Sequence, residues 1–211
     1  MAYSQSDEET KIFRYYEDNP DKLSGTGVLL DIGAFDGRKF SNSLALIEKG
    51  WKACLVEASS FSFSKCYMEH RLNENVTLVN TAITTKPEQN KLIKFYESPD
   101  SAVSTLDGNN LWYPEDKGEY LKHRKIYTTS VCFTDFMDWC DNNGFDKIDL
   151  LTIDVEGTSA ELSMMFDPDK YQTSLVCMEK DGRDGEILEY YAKFGFKEIY
   201  NCSQNIIVGR I

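Results

Sequence analysis

With 211 residues, 41% of them hydrophobic and 27% charged, the chain has the size of one α/β domain with its own core, since domains seldom split below about 250 residues. The 35 acidic residues outnumber 23 basic ones, and a net charge of -12 argues against nucleic acid, whose phosphates are met by clustered Lys and Arg. A mean hydropathy of -0.45, with no apolar run near the roughly 18 residues of a spanning helix, argues against a membrane segment.

The amino terminus, Met1 to Glu9, is polar and acidic where a secretory signal is basic and then apolar. The mature chain is therefore expected to begin near Met1, with residues 1–25 as a polar, helical extension. Three β-rich runs follow, Val28 to Ile32, Ala53 to Glu57 and Val76 to Asn80, separated by stretches of helical spacing. The first connecting helix, Ser41 to Lys49, carries Leu44 and Ile47 on one side and is stopped by Gly50. The second, Phe61 to Leu72, carries Phe61, Cys66 and Met68 among polar residues. This βαβαβ order implies crossover helices over a parallel sheet.

Residues 84–125 break the rhythm and read as an insertion, with a strand at Lys91 to Tyr96 and a polar stretch around Asp107 to Gly118. Regular order resumes with a strand at Ile126 to Val131, a helix at Phe133 to Asn142 ended by Asn143 and Gly144, and buried strands at Asp149 to Asp154 and Ser174 to Glu179. Helices are expected at Ala160 to Phe166 and Glu186 to Phe194, and a closing hairpin joins Lys197 to Tyr200 with Asn205 to Gly209. The expected architecture is a seven-stranded, doubly wound, mostly parallel sheet with one antiparallel strand near its edge and helices on both faces. Cys54, Cys66, Cys132, Cys140, Cys177 and Cys202 form no CxxC pair, so zinc and dithiol redox sites are not indicated. Reduced thiols in a cytoplasmic protein are expected.

Three clusters carry chemistry. The first strand runs into Asp31-Ile32-Gly33-Ala34-Phe35-Asp36-Gly37, a glycine-bearing turn at the edge where open sheets bind cofactors. Its G-x-x-x-G spacing lacks the dinucleotide pattern, and the carboxylates of Asp31 and Asp36 suit an ammonium group better than a pyrophosphate. Glu57, 20 positions beyond Gly37, can accept from both ribose hydroxyls or can cap the helix beginning near Ser59. Asn80 to Ile83, with Ala82, would then lie beside an adenine. In the third cluster, Leu151-Thr152-Ile153-Asp154-Val155-Glu156-Gly157, alternation puts Asp154 and Glu156 on one side of an extended chain, with Glu179 and Asp181 nearby. Such carboxylates can take a proton from an attacking hydroxyl, can hold a divalent metal (candidates Asp154, Glu179 and Asp181), or can cap the helix near Thr158. His123 is a rival base and equally a solvated surface residue. His70, between Glu69 and Arg71, is expected to be exposed. Trp112, Tyr113 and Tyr120 form either a carbohydrate-binding lid or a small satellite core.

The runs DIGAFDGRKFSNSLALIEKGW, LVEAS and DLLTIDVEG resemble FkbM-type methyltransferases, and Ser101 to Leu106, Val131 to Phe136 and Val176 to Glu179 follow in the family's order, so the likeness covers residues 27 to 209. The resemblance implies a Rossmann-like class I methyltransferase that binds S-adenosylmethionine through Gly33, Ala34, Asp36, Gly37, Glu57 and Ala58. It also implies Ser41 and Asn42 near cofactor or substrate, and Asp154, Glu156 and Glu179 at the reaction centre. The expected reaction is O-methylation of a sugar, glycan or similar polyhydroxylated acceptor. A non-catalytic nucleoside-binding domain of the same fold is the alternative. Ala58-Ser59-Ser60 departs from the family, which more often has a Pro after the acidic residue.

Overall fold

The computed structural model describes residues 3–23, 26–86, 91–98, 104–106 and 124–211. Helix α1 (Glu8–Asp18) precedes strand β1 (Val28–Ile32), helix α2 (Leu44–Glu48), β2 (Lys52–Val56), α3 (Ser60–His70), β3 (Val76–Val79) and β4 (Ala82–Thr84). Then come β5 (Leu92–Glu97), β6 (Arg124–Cys132), α4 (Phe133–Asn142), β7 (Leu150–Ile153), α5 (Ser159–Ser163), β8 (Leu175–Glu179), α6 (Asp184–Ala192), β9 (Phe196–Asn201) and β10 (Asn205–Arg210). Seven strands form one sheet in the order β3-β2-β1-β7-β8-β10-β9, in which β10 alone runs against the others. This is the expected doubly wound α/β architecture.

The strands form where sequence supplies short apolar runs that both sheet faces bury. In β1, Leu29 faces a core built with Ile12 and Tyr15 of α1, Ile47 of α2 and Cys66 of α3. Leu30 and Ile32 face the opposite core, with Phe136 of α4, Ala160 of α5 and Tyr191 of α6. Period-two alternation thus feeds two helical layers, and neither face of the sheet is left to water. The order of strands reverses between β1 and β7, and at such a switch point the two flanking loops diverge and open a crevice at the carboxyl ends of the strands.

The amino-terminal extension is part of this core. Tyr15 donates its hydroxyl to the carbonyls of Ser174 and Arg210, each at 2.8 Å, and Tyr16 donates to that of Asp149 at 2.9 Å. Glu8 is fully buried and accepts from the Asn205 side-chain amide at 2.9 Å. Helix α1 therefore staples the amino ends of the central strands to the closing hairpin.

Three expectations are corrected. The helices expected at 41–49 and 160–166 contract to five residues each. Ser41 Oγ accepts from the backbone amides of Ser43 and Leu44, which delays α2, while the amides of Met165 and Phe166 bond three residues back and end α5 in tightened turns. The strands of 82–84, 92–97 and 124–132 form a second sheet in the order β4-β6-β5, separate from the main one. That sheet rests against the β2–α3 junction: Thr128 donates to the Ala58 carbonyl at 2.9 Å, and buried Glu97 accepts from Ser59 at 2.6 Å and from Arg124 at 2.9 Å. Finally, α3 buries Ser62, Cys66 and His70, leaving Phe61 and Met68 exposed. His70 is buried, contrary to expectation, because positions 62, 66 and 70 stack on one helical face.

Candidate functional site

At the carboxyl edge, the loop after β1 is pinned from several sides. The amides of Gly33 and Ala34 donate to the Val56 carbonyl at 2.9 and 3.0 Å, and the Gly37 amide closes a turn onto Ala34. Gly33, with φ +95°, lies against β7 so closely that a Cβ would sit 1.7 Å from the Asp154 carbonyl oxygen. Glycine is required there by the approach of two backbones at the switch point. Gly37, with φ +74°, faces His70 and Cys66 of α3 instead. Phe35 holds a left-handed φ of 52° without being glycine, a conformation of order 1–3 kcal/mol that persists only where surroundings enforce it.

Glu57 follows β2 and is buried. One carboxylate oxygen accepts from the Phe35 amide at 2.8 Å and the other from the Ser59 amide at 2.7 Å. Burial raises its pKa to about 7, against the pull of those two amides. The geometry bears on the capping reading of Glu57: it accepts from the amide of Ser59, the N-cap of α3, and through Phe35 it ties α3 to the glycine turn. A carboxylate has about four acceptor positions, and these two amides do not fill them. Asn80 donates to the Glu57 carbonyl at 2.7 Å, which brings the end of β3, and Thr81 and Ala82 after it, to the same rim.

Asp31 and Asp36 both accept hydrogen bonds from within the protein. Asp31 points into the α2 and α3 face of the sheet, where it accepts from Ser43 Oγ and Thr152 Oγ1, each at 2.6 Å. Asp36 caps the following turn, accepting from the amides of Arg38 at 3.0 Å and Lys39 at 2.7 Å. Ser41 and Asn42 lie on the descending limb of this loop, and the buried Oδ1 of Asn42 has no hydrogen-bond partner among the described residues.

Across the switch point stand the carboxylates of Asp154, Glu156, Glu179 and Asp181. The strand ends at Ile153 and Glu156 turns left-handed with φ 57°, so the chain is not extended through Glu156 and simple alternation does not align it with Asp154. Electrostatics joins them all the same. Burial, and then the charges of Asp154, Glu179 and Asp181, push the Glu156 carboxyl up to about 9. Asp154 is exposed at the surface yet crowded by protein atoms; that crowding first, and then the charges of Asp31 and Asp181, hold its proton affinity above the ordinary carboxylate range. Glu179 is raised by burial and by Asp154 and Asp181. Asp181 Oδ2 accepts from the Ala160 amide at 2.9 Å and so caps α5, while Glu179 accepts from Ser159 Oγ at 3.1 Å. Among the described residues no group of three His, Cys, Asp or Glu is arranged to hold a metal ion. Thr105, from the insertion, donates to the Glu156 carbonyl at 2.8 Å and joins β5 to this loop through a bridge with Tyr96. His123, Trp112, Tyr113 and Tyr120 lie outside the described residues.

The rim therefore joins a strained glycine turn, a buried acid after β2, and a carboxylate cluster in which, among the described residues, no Lys or Arg makes a short ion pair. The neighbouring cations are engaged elsewhere: Lys180 with Asp184 at 2.8 Å and Arg183 with Glu186 at 2.6 Å. Such a cluster favours protons or an added cation.

No curated protein matches the chain in sequence. Among solved structures it is similar to monomeric WbdD, with TM-score 0.52 and 11% identity over 99% of this chain and 42% of that one. It is also similar to a chain of the fibrillarin/Nop5p complex (TM-score 0.45, 13% identity, 90% of this chain and 75% of that one). A third is M. jannaschii TYW2 in complex with AdoMet (TM-score 0.40, 12% identity, 100% and 79%). Identities at this level speak to the fold alone. The family profile described as the methyltransferase FkbM domain matches residues 31–198, from the glycine turn through the last helix, and the chain belongs to that family.

Proposed function

We propose that the chain uses S-adenosylmethionine to methylate a hydroxyl oxygen of a sugar, glycan or similar polyhydroxylated small molecule. The observation that carries the reading is the juxtaposition, at the switch point, of the Gly33 turn with three carboxylates, Asp154, Glu156 and Glu179, whose proton affinities are raised. The residues fit the donor. An anionic rim suits a sulfonium and an ammonium, the partnerless Asn42 Oδ1 offers an acceptor, and Glu57 keeps acceptor positions for ribose. When bound, S-adenosylmethionine supplies a methyl group activated by its positive sulfur. Gly33, Ala34, Asn42, Glu57 and Ala82 hold it.

A sugar hydroxyl is a poor nucleophile and must lose its proton as it attacks. Asp154 is the base of choice, because its carboxyl is displaced toward neutrality, where a base both stays available and drives proton transfer. Glu156 and Glu179 remain protonated further up the pH scale and can donate hydrogen bonds to other acceptor hydroxyls. Most of the rate then comes from holding two reactants in line. The acidic rim and a net charge of -12 support a neutral acceptor over nucleic acid or an anionic membrane. All six cysteines are free thiols, in keeping with a reducing, cytoplasmic setting, and among the described residues no helix is long and apolar enough to cross a membrane.

The test is transfer of a tritiated methyl group from S-adenosylmethionine to a panel of mono- and oligosaccharides, with ring-deoxy analogues to locate the oxygen. Incorporation into a sugar supports the proposal. Donor binding by calorimetry without transfer to any hydroxylated acceptor would instead favour a non-catalytic nucleoside-binding domain.

A further inference from the structure

We infer that His70 is a positioning residue for the methyl donor, acting from beneath the site through the backbone of the Gly33–Arg38 turn; the inference rests on the donor reading above. The imidazole is buried, 3% exposed, at the end of α3. Its Nε2 lies 3.0 Å from the Gly37 carbonyl oxygen, which can only accept, so the ring carries a proton on Nε2 and donates it. Gly37 packs onto the ring so closely that a Cβ would come within 2.7 Å of Nε2 and 2.8 Å of Cys66 Sγ.

The turn needs such a hold. Phe35 is kept left-handed, and its amide bonds to Glu57, the acid that remains to read ribose. Three residues anchor the turn's near end through Val56 and Glu57, while its far end is tied to α3 by His70 and by the ion pair of Arg38 with Glu69 at 2.6 Å, beside the turn's own Asp36 cap on the Arg38 and Lys39 amides. That ion pair is 55% and 33% exposed, and pairs open to solvent stabilise little. A buried hydrogen bond to a carbonyl that has no other donor among the described residues is the stronger restraint. Releasing it lets Phe35 relax, moves its amide off Glu57, and misaligns the acid and the turn together.

His70→Leu fills the space without the donor. His70→Gln can place an amide nitrogen near Nε2, and His70→Asn is too short to reach Gly37. Two readouts separate positioning from packing: amide hydrogen exchange of residues 35–38 in the ligand-free chain, and calorimetric affinity for S-adenosylhomocysteine. Exchange should rise in the Leu and Asn variants, their dissociation constants should increase about tenfold, and the Gln variant should stay within about threefold of wild type. In turnover, KM for the donor should rise with kcat little changed. If the Leu variant does not fold, the contrast between Gln and Asn decides. Unchanged exchange, unchanged affinity, or equal losses in Gln and Asn would overturn the inference. Wild-type chain that takes up no S-adenosylhomocysteine would overturn the donor reading itself, and this inference with it.

Discussion

Replacing Glu156 by Gln should stabilise the ligand-free protein at alkaline pH and leave it unchanged near pH 4. The native Glu156 carboxyl is pushed from 4.5 to about 9 by burial and by Asp154, Glu179 and Asp181. Between those values the native chain holds a proton that the unfolded chain has released, so native stability is complete below the ordinary carboxylate range and falls as pH climbs toward 9. The full interval, at about 1.4 kcal/mol per pH unit, sets an upper bound of about 6 kcal/mol. Solvent reaching the cleft screens the cluster, and about 2–3 kcal/mol is the expected gain for the variant at pH 9. For a chain of this size that is a rise of about 4–12 °C in melting temperature. The assay is thermal or urea unfolding of both proteins at half-unit steps from pH 5 to 9. The difference should widen steadily with pH, and a cationic donor at saturation should narrow it by supplying the missing positive charge. Parallel stability profiles would refute the claim that this carboxyl carries an electrostatic penalty in the native state.

Asp154→Asn should lower kcat by about 10²–10⁴-fold while leaving the dissociation constant for S-adenosylhomocysteine within a few-fold, measured by steady-state kinetics and calorimetry. The wild-type rate should rise across an acid limb displaced above the usual carboxylate range, in the direction of the raised Asp154 proton affinity. Gly33→Ala combines a φ of +95° with a Cβ 1.7 Å from backbone, which no rotamer relieves, and should cost about 3–5 kcal/mol in urea unfolding. Glu97→Ala removes the acceptor shared by Ser59 and Arg124 and should lower stability by about 2–3 kcal/mol in the same assay, while loosening the second sheet from α3 as read by hydrogen exchange.

The main sheet was legible because its strands are buried on both faces. Leu29 to Ile32, Leu150 to Ile153 and Leu175 to Glu179 read as short apolar runs, and glycines such as Gly50 and Gly144 take the left-handed φ that ends the preceding helix. The second sheet was not legible, since β5 and β6 mix exposed and buried residues and pair across an insertion whose register no local pattern specifies. The strand-end acids were found by position, but their partners were not. Asp31 spends its oxygens on Ser43 and on Thr152, 121 residues away, a contact that only the fold creates. His70 was misjudged from its charged neighbours, although the i, i+4 stripe of Ser62, Cys66 and His70 was present in the sequence.

Strain and charge are concentrated at one rim. Among the described residues the non-glycine positions with positive φ include Phe35 and Phe40 after β1, Glu156 after β7 and Asp181 after β8, with only Gln172 away from that edge. The raised carboxyls of Glu57, Asp154, Glu156 and Glu179 follow the same strands. Each feature destabilises the ligand-free protein, and the apolar cores on the two faces of the sheet offset the cost. A packing requirement explains Gly33, and Glu57 and Asp181 accept from the Ser59 and Ala160 amides; packing does not by itself account for the raised carboxyls of Asp154 and Glu156 beside them. A cation arriving there would be stabilised by the repulsion it relieves, which is how the proposed donor site would turn free energy stored against folding into affinity. The same argument predicts why neutralising substitutions at this edge should make the chain sturdier and the enzyme poorer.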